Sequence, residues 1–440
     1  MKYYLAIDIG ASSGRHIIGY KDKKNELILD EVYRFKNSVV NYNDHLIWDI
    51  DRLTNEVIEG IKICLNKYKN IESLSIDTWG VDYVLMNNDN VIYPVYAYRD
   101  KRNKEVIDKV HNIISFEKLY KITGTQFQEF NTIYQLYHDK LNNRLEKATD
   151  FLYIPEYLMY KLTGIKVHEL TNASTSGMLD KDTNYYSKEI IDKLGFDCRL
   201  FKKLSVPGLY IGDLKKDIQE IVNGNIKVVL CATHDTASAV HAIKMADNSP
   251  YISSGTWSLL GIKTNSIITS NKALNCNYSN EYGINYYRFQ KNIMGLWIIQ
   301  CLAKELNLDF IEMVTMAKKS NYNEIFDVND NCFLSSCNMK NEIINYFKRN
   351  NQKLPKDDND LLNSTYHSLA YSYKIAIDEL ENILEKKFDN LYIVGGGAKN
   401  QYLNDLCQKY TNKKVIALAI EASAMGNIIV QMEKENEKRN

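Results

Sequence analysis

The stretch YYLAIDIGASSGRHIIGY, residues 3–20, reads as two strands joined by a turn. Apolar residues crowd both flanks, and the small residues ASSG between them are those that tight turns favour. A third strand-like run, ELILDEVYRF (26–35), follows after KDKKN. Residues 51–68 then place Leu53, Val57, Ile61 and Leu65 at helical spacing, and SLSID (73–77) returns to strand. Strand, strand, strand, helix, strand predicts an α/β fold.

The same order recurs after residue 250. YISS (251–254), WSLLGI (257–262) and INYYRFQ (284–290) read as strands, and residues 296–306 as an apolar helix. A long amphipathic helix is expected over 360–386, with Leu362, Tyr366, Leu369, Tyr373, Ile377, Leu380 and Leu384 on one stripe. LYIV (391–394), a helix near 401–410, KVIAL (414–418) and a last helix complete the chain, and the charged end QMEKENEKRN is expected to fray. This architectural duplication predicts two domains, 1–240 and 241–440, with a cleft between them.

Composition narrows the functional classes. The chain has 440 residues, with 55 Lys+Arg against 55 Asp+Glu, 45% hydrophobic and 25% charged, which excludes a disordered chain and gives no field to attract a nucleic acid. No apolar run approaches the roughly 20 residues that span a bilayer, so no membrane partner is expected. Asp8 interrupts what would be the apolar part of a signal peptide. The 8 cysteines form no CxxC, and only Cys332 and Cys337 lie close together, so reduced thiols and a cytoplasmic location are expected.

Neither GxxxxGK[ST] nor GxGxxG occurs. Glycines instead sit in turns at strand ends. In AIDIGASSGR (6–15), Asp8 closes a strand and Gly10, Ser12, Ser13 and Gly14 form the turn. Small residues let backbone N–H groups approach phosphate oxygens, serine hydroxyls add donors, and Asp8 is placed to hold hydrated Mg²⁺; a plain β-hairpin is the alternative. YISSGTWSLLG (251–261) repeats the device, so two such hairpins could clamp one polyphosphate. YIVGGGAKN (392–400) offers Gly395, Gly396 and Gly397 either as bare backbone for an adenine and its ribose or as a flexible turn.

Two further segments carry candidate chemistry. In ATHDTASAV (232–240), Asp235 stands at a helix start, either as a cap or as a general base for a hydroxyl attacking phosphorus; His234 either binds substrate or is structural. In SIDTWGVDYVLM (75–86), Asp77, Trp79, Gly80 and Asp82 lie around a bend between strands. Acids beside an aromatic ring suit a polyol, and an ordinary hairpin is the alternative. KNIMGLWIIQ (291–300) adds Asn292 and Gln300 as amide donors, with Trp297 assigned to packing.

AIDIGASSGR, IDTWGVD, YRDKR, FNTIYQL, LTNAST, HDTASAV, SSGTWSL, KNIMGLW, VGGG and EAS with MGN span nearly the whole chain. Together they resemble the FGGY carbohydrate kinases of the actin–hexokinase superfamily, most closely those acting on L-rhamnulose. The resemblance implies two ribonuclease-H-like domains closing on a deep cleft, the first binding sugar and the second nucleotide. It implies ATP and Mg²⁺ as cofactors, Asp235 as catalytic base, and Gly80 with His234, Asp235 and Thr236 on the sugar. Ala11, Ser12, Ser13, Gly14 and Arg15 would cover phosphates, and Thr256, Asn292, Gln300 and Gly395 to Gly397 would serve ATP. The expected product is the 1-phosphate, made by a monomer or homodimer. A kinase of another ketose or deoxysugar, such as fuculose or xylulose, and a catalytically silent sugar-binding homologue are the alternatives. Leu418-Ala419 stands where a Gly-Pro pair is usual in the family, and Tyr282-Gly283 where paired glycines are expected.

Overall fold

The computed structural model describes residues 1–245, 249–334, 338–418 and 421–437. Cys337 and Ala419 lie outside these residues. The chain forms two compact units, residues 1–243 with 264–288 and 422–440, and residues 244–263 with 289–421. The sequence places one boundary at 240/241; in the structure the first unit also takes in residues 264–288 and the C-terminal helix. Buried polar side chains explain the latter, as shown below.

The first unit is built on strands β1 (Tyr3–Ile9), β2 (Ser13–Lys21), β3 (Leu27–Lys36), β4 (Ile71–Thr78), β5 (Tyr210–Asp213) and β6 (Lys227–Val229), ordered β5-β6-β4-β1-β2-β3. The β1–β2 and β2–β3 pairs are antiparallel hairpins, whereas β4 lies parallel to β1 and to β6. Register sets Asp8 opposite Arg15 on one side and opposite Asp77 on the other. Alternation divides β1 between two cores. Leu5, Ile7 and Ile9 pack with Leu53, Val57 and Ile61 of helix α1 (Ile50–Lys67), whose start is capped by Asp49 accepting from the Arg52 N–H. Tyr4 and Ala6 pack instead with Ala424 and Ile428 of the C-terminal helix (Ala422–Glu437). Asp8 shares that second parity, so it lies on the face covered by the C-terminal helix.

That helix is held by polar groups at i, i+4 spacing. Asn427 Nδ2 donates to Asp77 Oδ2 at 2.6 Å, and Gln431 Nε2 donates to the Leu5 carbonyl at 3.0 Å while its Oε1 accepts from Ser73 Oγ at 2.6 Å. The helix runs through Glu437, into the segment expected to fray.

In the second unit, β7 (Tyr251–Ser254), β8 (Trp257–Thr264), β9 (Tyr287–Met294, mostly within this unit), β10 (Asn390–Val394) and β11 (Lys414–Ala417) run in the order β9-β8-β7-β10-β11. β7 is antiparallel to β8 and parallel to β10, which is parallel to β11. The order repeats that of β3-β2-β1-β4-β6, and the senses of β7 with β8 and β10 and of β10 with β11 repeat those of β1 with β2 and β4 and of β4 with β6, so the duplication expected from sequence exists as topology. Helices α3 (Trp297–Leu306), α4 (Asp358–Leu384) and α5 (Gln401–Thr411) fall close to the expected bounds, and Leu362, Tyr366, Leu369, Tyr373, Ile377 and Leu380 of α4 are buried. Among the described residues no helix is long and apolar enough to cross a membrane, and none of the seven described cysteines is in a disulfide.

Candidate active site

In the first unit three carboxylates meet where β1 and β4 end. Asp8 is 3% exposed and ion-paired with Arg15. Asp77 is fully buried; its Oδ2 accepts from Asn427, and among the described residues its Oδ1 has no hydrogen-bond partner. Burial, then the Asp8 and Asp235 charges, hold its carboxyl well above the ordinary range.

The third is Asp235. The Thr78 N–H donates to the Thr233 carbonyl at 2.9 Å and ties the loop before helix α2 (Asp235–His241) to the end of β4. The capping alternative does not hold, since His234 occupies the N-cap position and Asp235 is the first helical residue. Among the described residues the Asp235 carboxylate accepts only from its neighbour Thr236, through N–H and Oγ1, and its side chain keeps 30% exposure against 5% for Asp8. Burial, then the Asp8 charge, push it up to about 7. It is the accessible member of the cluster, poised to gain or lose a proton near neutrality.

The residues leading into Asp235 are fixed from several sides. Glu169 Oε2 accepts from Thr233 Oγ1 at 2.6 Å and from its N–H at 3.2 Å, while the His234 N–H reaches Thr171 Oγ1 at 3.4 Å. His234 Nδ1 lies 3.1 Å from Nη2 of Arg288, and that nitrogen is 3.1 Å from Glu281 Oε2. Sequence reading missed Glu169, Glu281 and Arg288. The available signal for Arg288 was a lone charge in a strand-like run, INYYRFQ.

Around the expected polyol bend, Asp82 is already fully engaged. Its Oδ2 accepts from Trp48 Nε1 at 2.7 Å, Trp79 Nε1 at 2.9 Å and the Tyr98 N–H at 3.1 Å, and Oδ1 accepts from Gln135 Nε2 at 3.1 Å. Asp82 and Trp79 therefore brace the bend, and the acceptor expected for a sugar hydroxyl is taken by the protein. Between them Val81 is held at φ 68°, an unfavourable conformation for a β-branched residue. Its carbonyl is gripped by Thr132 Oγ1 at 2.8 Å and Gln135 Nε2 at 3.2 Å. A Cβ on Gly80 would stand 3.1 Å from Thr175 Oγ1 and 3.5 Å from the His234 ring. Gly80 thus borders His234.

The turn 10–13 closes with Gly10 N–H donating to Ser13 O at 2.9 Å, and Asn37 braces it by donating to the Gly10 and Ser12 carbonyls. Ser12 is exposed, with Ala11, Ser13 and Arg15 partly so. Gly14 is buried, and a Cβ there would stand 2.1 Å from the Phe35 ring, so packing alone requires this glycine. The second unit repeats the closure, with Gly255 N–H donating to Trp257 O at 2.8 Å. The carbonyls of Gly255 and Thr256 accept from Leu296 and Trp297, which seats the start of α3 on this turn. Thr256, Asn292 on β9 and Gln300 in α3 are each partly exposed. Trp297 Nε1 donates to the Phe333 carbonyl at 3.1 Å, as suits a packing role.

The three glycines after β10 differ. Gly395 has φ 82°, and a Cβ on Gly397 would meet Ser254 Oγ at 2.0 Å, whereas one on Gly396 would meet nothing within 4 Å. Only Gly396 is exposed. Gly397→Ala should therefore lower thermal stability by roughly 1–3 kcal/mol through overpacking. Gly396→Ala should leave the melting temperature unchanged and, where this surface takes a nucleotide, raise the KM for ATP.

Among the described residues no group of three or more His, Cys, Asp or Glu is arranged to hold a metal. Mg²⁺ does not need such a cage, since it keeps most of its waters and takes one or two carboxylates beside phosphate oxygens. Asp8, whose charge acts on the reactive Asp235 beside it, fits that requirement.

Residues 3–241 match the FGGY family of carbohydrate kinases, N-terminal domain, and residues 250–433 match its C-terminal domain. The chain is 46% identical to a rhamnulokinase of Oceanobacillus iheyensis, covering 97% of this chain and 92% of that protein. It is 41% identical to one from Halalkalibacterium halodurans (98% and 93% covered) and 40% to one from Bacillus subtilis (98% and 90%). The fold resembles that of a ligand-bound xylulose kinase from Lactobacillus acidophilus, with a TM-score of 0.81, 15% identity, and 100% and 91% of the two chains covered. It also resembles Plasmodium falciparum glycerol kinase with ADP, with a TM-score of 0.76, 15% identity, and 99% and 90% covered.

Proposed function

The chain belongs to the FGGY family of carbohydrate kinases, and from that premise we propose that it transfers the γ-phosphoryl group of ATP to the C1 hydroxyl of L-rhamnulose, giving L-rhamnulose 1-phosphate and ADP. The observation that carries the choice of sugar is the 46% identity to a rhamnulokinase along 97% of this chain. The accessible carboxylate of Asp235 supports the chemistry.

In this reading Asp235 takes the proton from the C1 hydroxyl as its oxygen attacks the γ-phosphorus. Phosphoryl transfer draws most of its acceleration from positioning and charge stabilisation. Gly80, His234 and Thr236 border the sugar, while Asp77, Trp79 and Asp82 support them from within the protein. Ala11 to Arg15 cover phosphates, with Gly14 contributing through its packing. Thr256, Asn292, Gln300 and Gly395 to Gly397 serve the nucleotide, Gly396 being the one with open space above it. Asp8 would hold Mg²⁺, which when bound neutralises phosphate charge. Arg15, paired with Asp8, keeps that carboxylate oriented. The absence of disulfides among the seven described cysteines fits a reducing cytosol.

A base must be ionised to accept a proton, and Asp235 is pushed up to about 7. Sugar kcat/KM should accordingly rise with pH through about 7 and fall about tenfold per unit below it. A profile flat down to pH 5 would remove Asp235 from the role of base. The substrate is tested by following ADP release with ATP and L-rhamnulose, L-fuculose, xylulose, ribulose or glycerol. L-rhamnulose should give the highest kcat/KM, and a higher value for any other sugar would replace it.

A further inference from the structure

A neutral imidazole carries one proton, and its location decides which ring nitrogen donates and which accepts. At His234 the neighbour of Nδ1 can only donate. Arg288 Nη2 lies 3.1 Å from Nδ1, and a guanidinium has no lone pair to offer. Nδ1 is then the acceptor, and the proton is on Nε2. Nε2 is 3.5 Å from Asp235 Oδ1, so its N–H stands on the side of the reactive carboxylate. Glu281 Oε2, 3.5 Å from Nδ1, would favour the opposite tautomer. Arg288 Nη2 is nearer to both, at 3.1 Å from each, and gives Glu281 its charge partner and Nδ1 its donor.

Resting on the sugar-kinase reading above, we propose that Arg288, held by Glu281, is a positioning residue that locks His234 as the Nε2–H tautomer, leaving the histidine an obligate donor and Asp235 the sole proton acceptor at the reacting hydroxyl.

Three observations support this. Arg288 is 0% exposed, and although its Nε donates to the Tyr282 carbonyl at 3.1 Å, its Nη1 has no partner among the described residues. A buried guanidinium with an unsatisfied nitrogen is energetically unfavourable, and a plain ion pair with Glu281 would not require the imidazole as its third member. Burial, then the Arg288 charge, keep His234 far below its usual range, so the ring does not take up a second proton at pH 7. Gly80 leaves the His234 ring uncrowded on its Cδ2 side. A donor-only histidine selects a substrate oxygen with a lone pair, and a ketose offers one on the carbon next to its C1 hydroxyl. It also cannot compete with Asp235 for the transferred proton.

The tautomer can be read by two-bond ¹H–¹⁵N correlation on the whole chain labelled with ¹⁵N-histidine, at pH 7 and without sugar or ATP. The His234 signals are assigned by their loss in His234→Gln. The neutral Nε2–H pattern is expected; an Nδ1–H pattern or a cationic ring overturns the proposal. In parallel, Arg288→Gln should lower sugar kcat/KM on the order of 10- to 100-fold, as loss of an outer partner of a functional histidine does, with the KM for ATP unchanged. Arg288→Lys, which keeps a charged donor, should recover part of that loss. Wild-type kcat and sugar KM in Arg288→Gln would also overturn it. Should Arg288→Gln fail to fold, the wild-type tautomer still decides. Failure of the kinase reading looks different: the wild type would release no ADP in response to any sugar.

Discussion

Asp235→Asn is expected to lower kcat by about 10²- to 10⁴-fold, the usual contribution of a general base, while sugar binding stays measurable by calorimetry. The substitution is nearly isosteric, and the amide oxygen can still accept from the Thr236 N–H as the carboxylate does. What it removes is the ability to take a proton. It should also raise thermal stability at pH 8. The folded carboxyl is pushed up to about 7 from an ordinary 3.8, so above that ordinary value the fold disfavours the ionised form. At pH 8 the group is ionised in both states, and a neutral amide is spared the unfavourable burial beside Asp8. Activity lost while stability is gained marks a residue kept for chemistry. A variant with near-wild-type turnover would place the base elsewhere.

The second large effect is expected at Gly426. Glycine inside a helix is about 1 kcal/mol less favourable than alanine, so Gly426→Ala would stabilise an isolated helix. In the folded chain a Cβ there would stand 1.8 Å from the Ser238 carbonyl oxygen and 2.6 Å from its carbon. Both are backbone atoms of α2, so no side-chain rotation relieves the clash and the C-terminal helix must lift. Lifting separates Asn427 from Asp77 and Gln431 from Ser73, stranding buried polar groups in addition to overpacking. We expect a loss of about 2–4 kcal/mol in thermal unfolding, with sugar turnover reduced as Asp77 loses its partner. An unchanged melting temperature would mean that the helix does not dock as described.

The local elements were legible because apolar period and turn chemistry act over a few residues. β1, β7 and the starts and ends of α1 and α3 fall within about two residues of expectation, and the paired hairpins after Asp8 and Ser254 each close with a glycine N–H to carbonyl bond, Gly10 to Ser13 and Gly255 to Trp257. Long-range satisfaction of polar groups was not legible. Gln431 opens the charged end expected to fray and Asn427 drew no structural reading, yet their partners lie 350 and 358 residues earlier. Asp82 beside Trp79 looked like a polyol site, but Trp48 and Gln135 consume its lone pairs from 34 and 53 residues away. Glycine had the same ambiguity. Gly14 and Gly397 were read as ligand-facing, and each is required by a neighbouring side chain, Phe35 and Ser254. The motif around Asp235 was recognised, but its charged support, Glu281 with Arg288, comes from a different stretch of chain.

The proposed transfer is of phosphorus from ATP to C1 of L-rhamnulose. Its most direct test is phosphorus–proton correlation spectroscopy of the product formed from ATP, Mg²⁺ and L-rhamnulose by the purified chain. A phosphomonoester signal coupled to the two C1 methylene protons, accumulating in step with ADP, is predicted. ADP released with inorganic phosphate alone, or a phosphoester coupled to any other sugar proton, would contradict it.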